Sequence, residues 1–281
     1  MSDTTNGLSI VATPIGNLDD ISIRAINTLS ECDVIICENP KHSLKLLNKL
    51  GIKKKLIALH DYNEHKIIDN IKNLLENKNC VLISDAGSPL ISDPGYNLVQ
   101  YCITNNIGVT SVPGPSSIIS SLQLSGMPIS EFAFFGFIPK SKKKLENLIK
   151  NISEETKTSV LFVSSHKLVL FLECLEDVIP ERSIAICKEL TKMNEFIFRG
   201  NSSKVKNYVL EKKENLKGEF VAVIDRQASK NQDFDKIDLY ENEIKKMLTK
   251  FSLTDIVEIV HKFTKINKNK IYKWLLKLKK Q

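Results

Sequence analysis

Paired cysteines, glycine fingerprints and long apolar runs are what this 281-residue chain lacks. Its six cysteines (Cys32, Cys37, Cys80, Cys102, Cys174 and Cys187) form no CxxC pair, which argues against a zinc site or disulfide scaffold and casts them as small buried hydrophobes. No two of the eleven glycines are spaced as GxG, and none are spaced as GxxxxG, so neither GxGxxG nor GxxxxGK[ST] can occur. The dinucleotide fingerprint and the phosphate loop are thereby excluded. A GxSxG elbow is also missing, and serine hydrolysis has no support. The longest apolar runs are four or five residues, as at 160–163 and 168–172, against the ~20 that a membrane span needs. Residues 1–7 hold neither a basic nor an apolar leader segment, so the chain is expected to stay in the cytoplasm.

Charge is present but unevenly placed. The net charge is +7, from 40 basic and 33 acidic residues. Residues 244–281 hold eleven lysines against Asp255 and Glu258, which gives this segment +9 and leaves −2 on the residues before it. A basic segment of this kind suits a polyanion, because each neutralised phosphate releases counterions. The segment also has helical periodicity: Leu253, Ile256, Val257, Val260 and Phe263 form one stripe, and Ile271, Trp274, Leu275 and Leu278 form another, with a turn at 267–269. Two short helices with lysines such as Lys270 and Lys273 outside resemble a small helix-turn-helix module for nucleic acid.

The rest reads as α/β. Strands are expected at 8–12, 33–37, 56–59, 80–84 and 109–112, alternating with helices at 20–31, 43–50, 64–77, 95–105 and 116–125. Such alternation argues for a mostly parallel sheet covered on both faces. A second unit holds strands at 132–138, 159–164, 184–188, 195–198 and 219–224, and helices at 144–151, 167–178 and 204–212. Two of its strands follow one another around 191–194 without a helix between, so its sheet is expected to be mixed. The domains are expected at 1–126, 127–230 and 231–281, with a polar linker at 231–238.

Three unusual loops leave strand ends of the first unit, where open α/β sheets bind ligands. The richest is Ser84-Asp-Ala-Gly-Ser-Pro-Leu-Ile-Ser-Asp-Pro-Gly95, in which Gly87 and Gly95 permit positive φ and Asp85 can meet a hydroxyl or a positive centre. Pro113-Gly-Pro-Ser-Ser117 opens a helix, with Pro115 suited to the first turn and Ser116 and Ser117 able to cap it. The third is Thr13-Pro-Ile-Gly-Asn17. The cluster His60-Asp-Tyr-Asn-Glu-His65 has neither HExxH nor HxxEH spacing, so no metal is expected, and His42, His166 and His261 are isolated in sequence.

Seven ordered motifs carry a resemblance to a known family: 11–20, 59–64, 84–95, 112–116, Phe135-Gly-Phe-Ile-Pro139, Lys188-Glu-Leu-Thr-Lys192 and Lys217-Gly-Glu219. From about Leu8 to Asp225 the chain resembles the ribosomal RNA small subunit methyltransferase I family of the tetrapyrrole methylase superfamily, and the tail from Ser252 is similar to that family's C-terminal module. The resemblance implies two α/β domains of tetrapyrrole-methylase type with a cofactor cleft between them, a small helical C-terminal module, and a homodimer. It also implies S-adenosylmethionine as donor and the ribose 2′-hydroxyl of a decoding-region cytidine in 16S ribosomal RNA as acceptor. Cofactor contacts carry over to Pro14, Gly16, Asn17, Asp85, Ala86, Gly87, Ile91, Pro113, Gly114, Pro115, Ser116 and Ser117, and RNA contacts to Lys41, His166, Lys167 and Lys192.

Two segments depart from the family pattern. Glu38-Asn39-Pro40-Lys41 stands where the family commonly has Glu-Asp-Thr-Arg, and Val163-Ser-Ser-His166-Lys167 stands where it has Glu-Ser-x-His-Arg. Lysine keeps the charge but loses the bidentate fork that suits phosphate. A ribose hydroxyl is a weak acid, so methyl transfer to it calls for a base or cation nearby. Glu38 and Glu189 are the candidate bases, and Lys188 or Lys192 the candidate cations; a strand-end salt bridge is the structural reading of Glu189 and Lys192. Two alternatives are a methylase of the same superfamily acting on a tetrapyrrole or other small molecule, and a non-catalytic RNA-binding protein. The first gives the basic tail no role, and the second gives none to the three loops.

Overall fold

The computed structural model describes residues 6–60, 62–211, 213–227, 240–264 and 266–279. The chain forms two compact units, Met1–Arg226 and Gln227–Gln281. In the first unit, strands β1 (Gly7–Val11), β2 (Val34–Cys37), β3 (Lys55–Ala58), β4 (Asn79–Ile83) and β5 (Gly108–Val112) form a sheet in the order β3-β2-β4-β1-β5, every pair parallel. Side chains alternate between its faces. Val34, Ile36, Cys80 and Leu82 pack under α3 (Glu64–Asn77) and α4 (Tyr96–Thr104), whereas Ile35, Cys37, Val81 and Ile83 pack under α1 (Ile23–Glu31) and α2 (Pro40–Lys49). Because both faces are buried, β2 and β4 read as unbroken apolar runs.

The second sheet runs β6 (Phe132–Phe137), β7 (Thr158–Ser164), β10 (Glu219–Ile224), β8 (Ser183–Lys188), β9 (Phe196–Asn201) in spatial order. Only β6 and β7 are parallel; the other neighbours are antiparallel, so the sheet is mixed as expected. Helices α6 (Lys142–Glu154), α7 (Leu168–Val178) and α8 (Ser202–Leu210) cover one face. Helix α5 (Ser117–Ser125) covers the other, through Ile118 and Leu122 against Val160, Ala185, Cys187, Val221 and Val223. The expected division at 126 falls between α5 and β6, inside one compact unit, and α5 before it packs on the second sheet.

Several helices start elsewhere than periodicity implied, each for a capping reason. Helix α2 begins at Pro40 rather than 43, because the Asn39 side chain accepts from the backbone N–H groups of Lys41 and His42 and Pro40 fits the first turn. A 3₁₀ turn at Leu18–Asp20 precedes α1, whose cap is Ser22. Ser116 caps α5, which leaves Pro115 outside the first turn.

Among its described residues the second unit has three helices where two were expected: α9 (Glu241–Leu248), α10 (Leu253–Thr264) and α11 (Lys268–Leu278). Ile244 supplies the anchor of the unexpected helix and joins Ile256, Val257, Val260, Ile271, Trp274, Leu275 and Leu278 in the core. Phe263, expected in the stripe, is 86% exposed, and Ile266 is buried in that core. The expected linker 231–238 lies outside the described residues.

Candidate functional site

The loops leaving β1 and β4 are pinned together at the carboxyl edge of the first sheet. Thr13 N–H donates to Gly87 O at 2.8 Å, and Gly87 N–H donates back to Thr13 O at 3.0 Å. The loop after β4 is strained beyond its glycines, since Leu90 and Ser92 hold φ of 72° and 70°. Strain of this kind persists where the surroundings enforce it, and it clusters at ligand sites. Asp85 sits at the start of this loop with its Oδ2 3.7 Å from His42 Nδ1 on α2. Its Oδ1 is buried and has no hydrogen-bond partner among the described residues. A buried, unpartnered carboxylate oxygen costs about 1–3 kcal/mol or more unless a donor arrives, so the atom fits a ligand that carries one.

Across the crevice, the turn after β8 is locked by an ion-pair network. Glu189 and Thr191 adopt φ of 49° and 64°. Glu189 Oε1 accepts from Lys192 Nζ at 3.0 Å and from Glu219 N–H at 2.8 Å, and Lys192 also reaches Glu219 Oε2 at 2.9 Å. Burial pushes the Glu189 carboxyl upward, but the Glu219 amide and Lys192 outweigh it and hold the group below the ordinary carboxylate range. Burial likewise lowers the Lys192 ammonium, and its hydrogen bonds to Glu219 and Glu189 raise it above its ordinary value. Two glycines make this arrangement possible. A Cβ on Gly218 would stand 2.7 Å from Glu189 Cγ, and one on Gly16 would stand 2.5 Å from Lys192 Cγ and 2.8 Å from Leu190 O. Asn17 N–H completes the seam by donating to Thr191 Oγ1 at 3.0 Å. Motifs far apart in sequence are therefore one interlocked contact.

Two pockets flank this seam. The larger, about 420 Å³, is lined by Ile15, Ala86 and Ser117 from the first half and by Phe137, Phe162–Ser165, Cys187, Leu190 and Gly218–Val221 from the second. Its volume falls within the ~300–1,000 Å³ common for small-molecule sites. A register shift between Phe134 and Phe137 precedes the pocket residue Phe137, whose ring packs 5.1 Å from that of Phe162. The smaller pocket, about 300 Å³, is lined by Pro14, Gly16, His42, Ser43, Asp85 and Lys192 among others. The two share Ile15, Ala86 and Glu219.

The expected residues divide among these places. Pro14, Gly16, Asp85, Ala86 and Ser117 line the pockets, while Asn17 and Gly87 hold the loops that frame them. Gly114 packs against Ala12, and Ile91 is exposed. Glu189 and Lys188 line a separate depression, where Lys188 Nζ donates to Glu214 O at 2.5 Å. Glu38 follows β2 half-buried, outside the lining of both crevice pockets. Lys41 is exposed at the start of α2, Lys167 Nζ donates to Ile138 O at 3.3 Å, and His166 Nε2 lies 3.4 Å from Ser164 Oγ. Lys270 and Lys273 belong to α11 of the second unit. Glu64, beside the histidines of the rejected metal reading, is a buried tether that accepts from Asn97 Nδ2 and Leu98 N–H at 2.9 Å. His42 is the residue that sequence reasoning missed: it meets Asp85 only because β2 and β4 are neighbours.

A doubly covered parallel sheet, a mixed second sheet and a crevice walled by turns define a class, and comparison names it. The family profile described as Tetrapyrrole (Corrin/Porphyrin) Methylases matches residues 7–206, so the chain belongs to that family. The crystal structure of diphthine synthase shares the fold with a TM-score of 0.59 at 15% identity, over 78% of this chain and 89% of that one. Within the family the relatives are specific. Ribosomal RNA small subunit methyltransferase I of Thermotoga maritima is 43% identical over 218 residues, 77% of this chain and 97% of the relative. The protein of the same name from Buchnera aphidicola subsp. Schizaphis graminum is 36% identical over 282 aligned positions, 98% of this chain and 97% of its own. The chain belongs to the ribosomal RNA small subunit methyltransferase I family and is a methyltransferase.

Proposed function

We propose that this protein transfers a methyl group from S-adenosylmethionine to the 2′-hydroxyl of a cytidine ribose in the decoding region of 16S ribosomal RNA. The observation that carries this reading is the adjacency of the two pockets: one holds the donor and the other presents the acceptor beside it. S-adenosylmethionine supplies, when bound, an electrophilic methyl carbon on a sulfonium. Ile15, Ala86 and Ser117, with the aromatic wall of Phe137 and Phe162, hold it and exclude water. Asn17, Gly87, Ile91 and the turn at 113–116 shape the rest of that site, and Pro14 and Gly16 border it from the smaller pocket. Its ammonium and ribose hydroxyls are the kind of donor that Asp85 Oδ1 lacks.

Transfer requires the acceptor oxygen to lose its proton as it attacks in line, and positioning of this kind is worth ~7–11 kcal/mol of barrier. His42, an imidazole beside the Asp85 carboxylate, is placed to take that proton, in the manner of hydroxyl activation by a carboxylate-oriented histidine. Glu38 is the second candidate base. Glu189 is held ionised by two donors and acts by fixing Lys192, and Lys188 steadies the segment at Glu214. RNA contacts are assigned to Lys41, His166, Lys167 and Lys192 in the first unit and to Lys270 and Lys273 in the second. The reading includes a cytoplasmic homodimer; among the described residues no helix is long and apolar enough to cross a membrane.

The names of the relatives favour ribosomal RNA over a tetrapyrrole as acceptor, since the structural likeness speaks to fold alone. Titration calorimetry of the intact protein with S-adenosylmethionine tests the donor site. One site per chain is expected, and absence of heat together with absence of competition by S-adenosylhomocysteine would overturn the assignment.

A further inference from the structure

The smaller pocket has a basic wall that no motif marks. Its lining includes His42, Lys45, Leu46 and Lys49, which recur at i, i+3, i+4 and i+7 along α2 and so share one face of that helix. Lys45 and Lys49 are exposed, and neither is in an ion pair among the described residues. They differ in this from Lys192 on the opposite wall, which is neutralised by Glu189 and Glu219. At 1.5 Å per residue the two ammonium-bearing positions are separated by about 6 Å of helix axis. Ser43, 3% exposed, also lines this pocket, with its Oγ next to the Cys37 thiol. The end of α2 cannot serve as an amide anion site, because the Asn39 side chain already occupies the N–H groups of Lys41 and His42. Anion recognition on this wall therefore falls to the lysines.

We infer that the α2 face formed by Lys45 and Lys49 is a phosphate clamp, which grips the RNA backbone flanking the acceptor nucleotide while the pocket floor at Ser43 receives its sugar. This rests on the assignment of the smaller pocket to the acceptor. Exposed lysines on a bare helix face attract phosphate in proportion to the counterions they displace. Such contacts set register and orientation, not base identity, so the clamp positions a ribose without reading its base.

The test uses the full chain, unmodified 16S ribosomal RNA transcript, and binding measured over a series of KCl concentrations. In Lys45→Ala/Lys49→Ala the slope of log affinity against log salt should fall by about two, one per lysine removed, with affinity at low salt reduced at least ten-fold. Affinity for S-adenosylmethionine should be unchanged, which separates failure of the clamp from failure of the donor site. The variant Lys45→Arg/Lys49→Arg should retain the wild-type slope. A double alanine variant that binds S-adenosylmethionine normally and keeps the wild-type salt slope would overturn the clamp and leave the donor assignment intact.

Discussion

Asp85 and Glu189 are both carboxylates on strained loops bordering one crevice, yet they are treated in opposite ways. Glu189 has its needs met by an amide and an ammonium, and a glycine is kept bare to make room for it. Asp85 has one oxygen buried without a partner among the described residues and the other beside an imidazole. A satisfied carboxylate stabilises the protein, whereas an unsatisfied one is preorganised for something that arrives later. The two walls thus separate framework from chemistry, and substitutions on each should fail differently.

The largest difference is expected at His42. His42→Ala should lower the single-turnover methyl-transfer rate by about 10²-fold or more, the range for loss of a general base, with S-adenosylmethionine affinity unchanged. Glu189→Gln should lower that rate by less than ten-fold, and equal losses at the two positions would erase the contrast. Deleting 227–281 should rank next. RNA affinity should fall about ten-fold at low salt while calorimetry with S-adenosylmethionine is spared, since the deleted residues form a compact unit of their own. Gly16→Ala should then destabilise the fold by about 1–3 kcal/mol in urea unfolding, because the new methyl meets Leu190 O and Lys192.

The smallest effect concerns pH. The Glu189 carboxyl is lowered from its ordinary value of 4.5, so its contribution is complete above that value and is lost as pH falls through the folded one. Lys192 is raised from 10.5, so its contribution is complete below that value and disappears only at higher pH. The stability gap between wild type and Glu189→Gln, about 1–3 kcal/mol, should therefore be flat from pH 6 to 9 and shrink below about pH 4.

Much of this architecture is legible in the sequence. The apolar runs at 34–37 and 80–83 announce a sheet buried on both faces, and the density of proline, glycine and aspartate at 84–95 marks the crevice. The cysteines are buried as their scatter implies, with the Cys187 thiol pushed up to about 12 by burial. What escapes the sequence depends on contacts between distant segments. His42 looks isolated until strand order brings α2 beside the Asp85 loop. Gly218 reads as an ordinary turn glycine until the Glu189 side chain is found in the space its Cβ would fill. Positive φ at Leu90, Ser92 and Thr191 contradicts their local preference and is imposed by the loops they close. The departure at Asn39 also becomes intelligible, because asparagine caps α2 as aspartate can.

The most direct measurement is nucleoside analysis of unmodified 16S ribosomal RNA after incubation with this protein and methyl-labelled S-adenosylmethionine. Label recovered as 2′-O-methylcytidine, and lost in His42→Ala, is the expected result. Label on a base, or RNA left unlabelled while the protein binds the donor, would contradict a crevice built to set a methyl group beside a sugar hydroxyl.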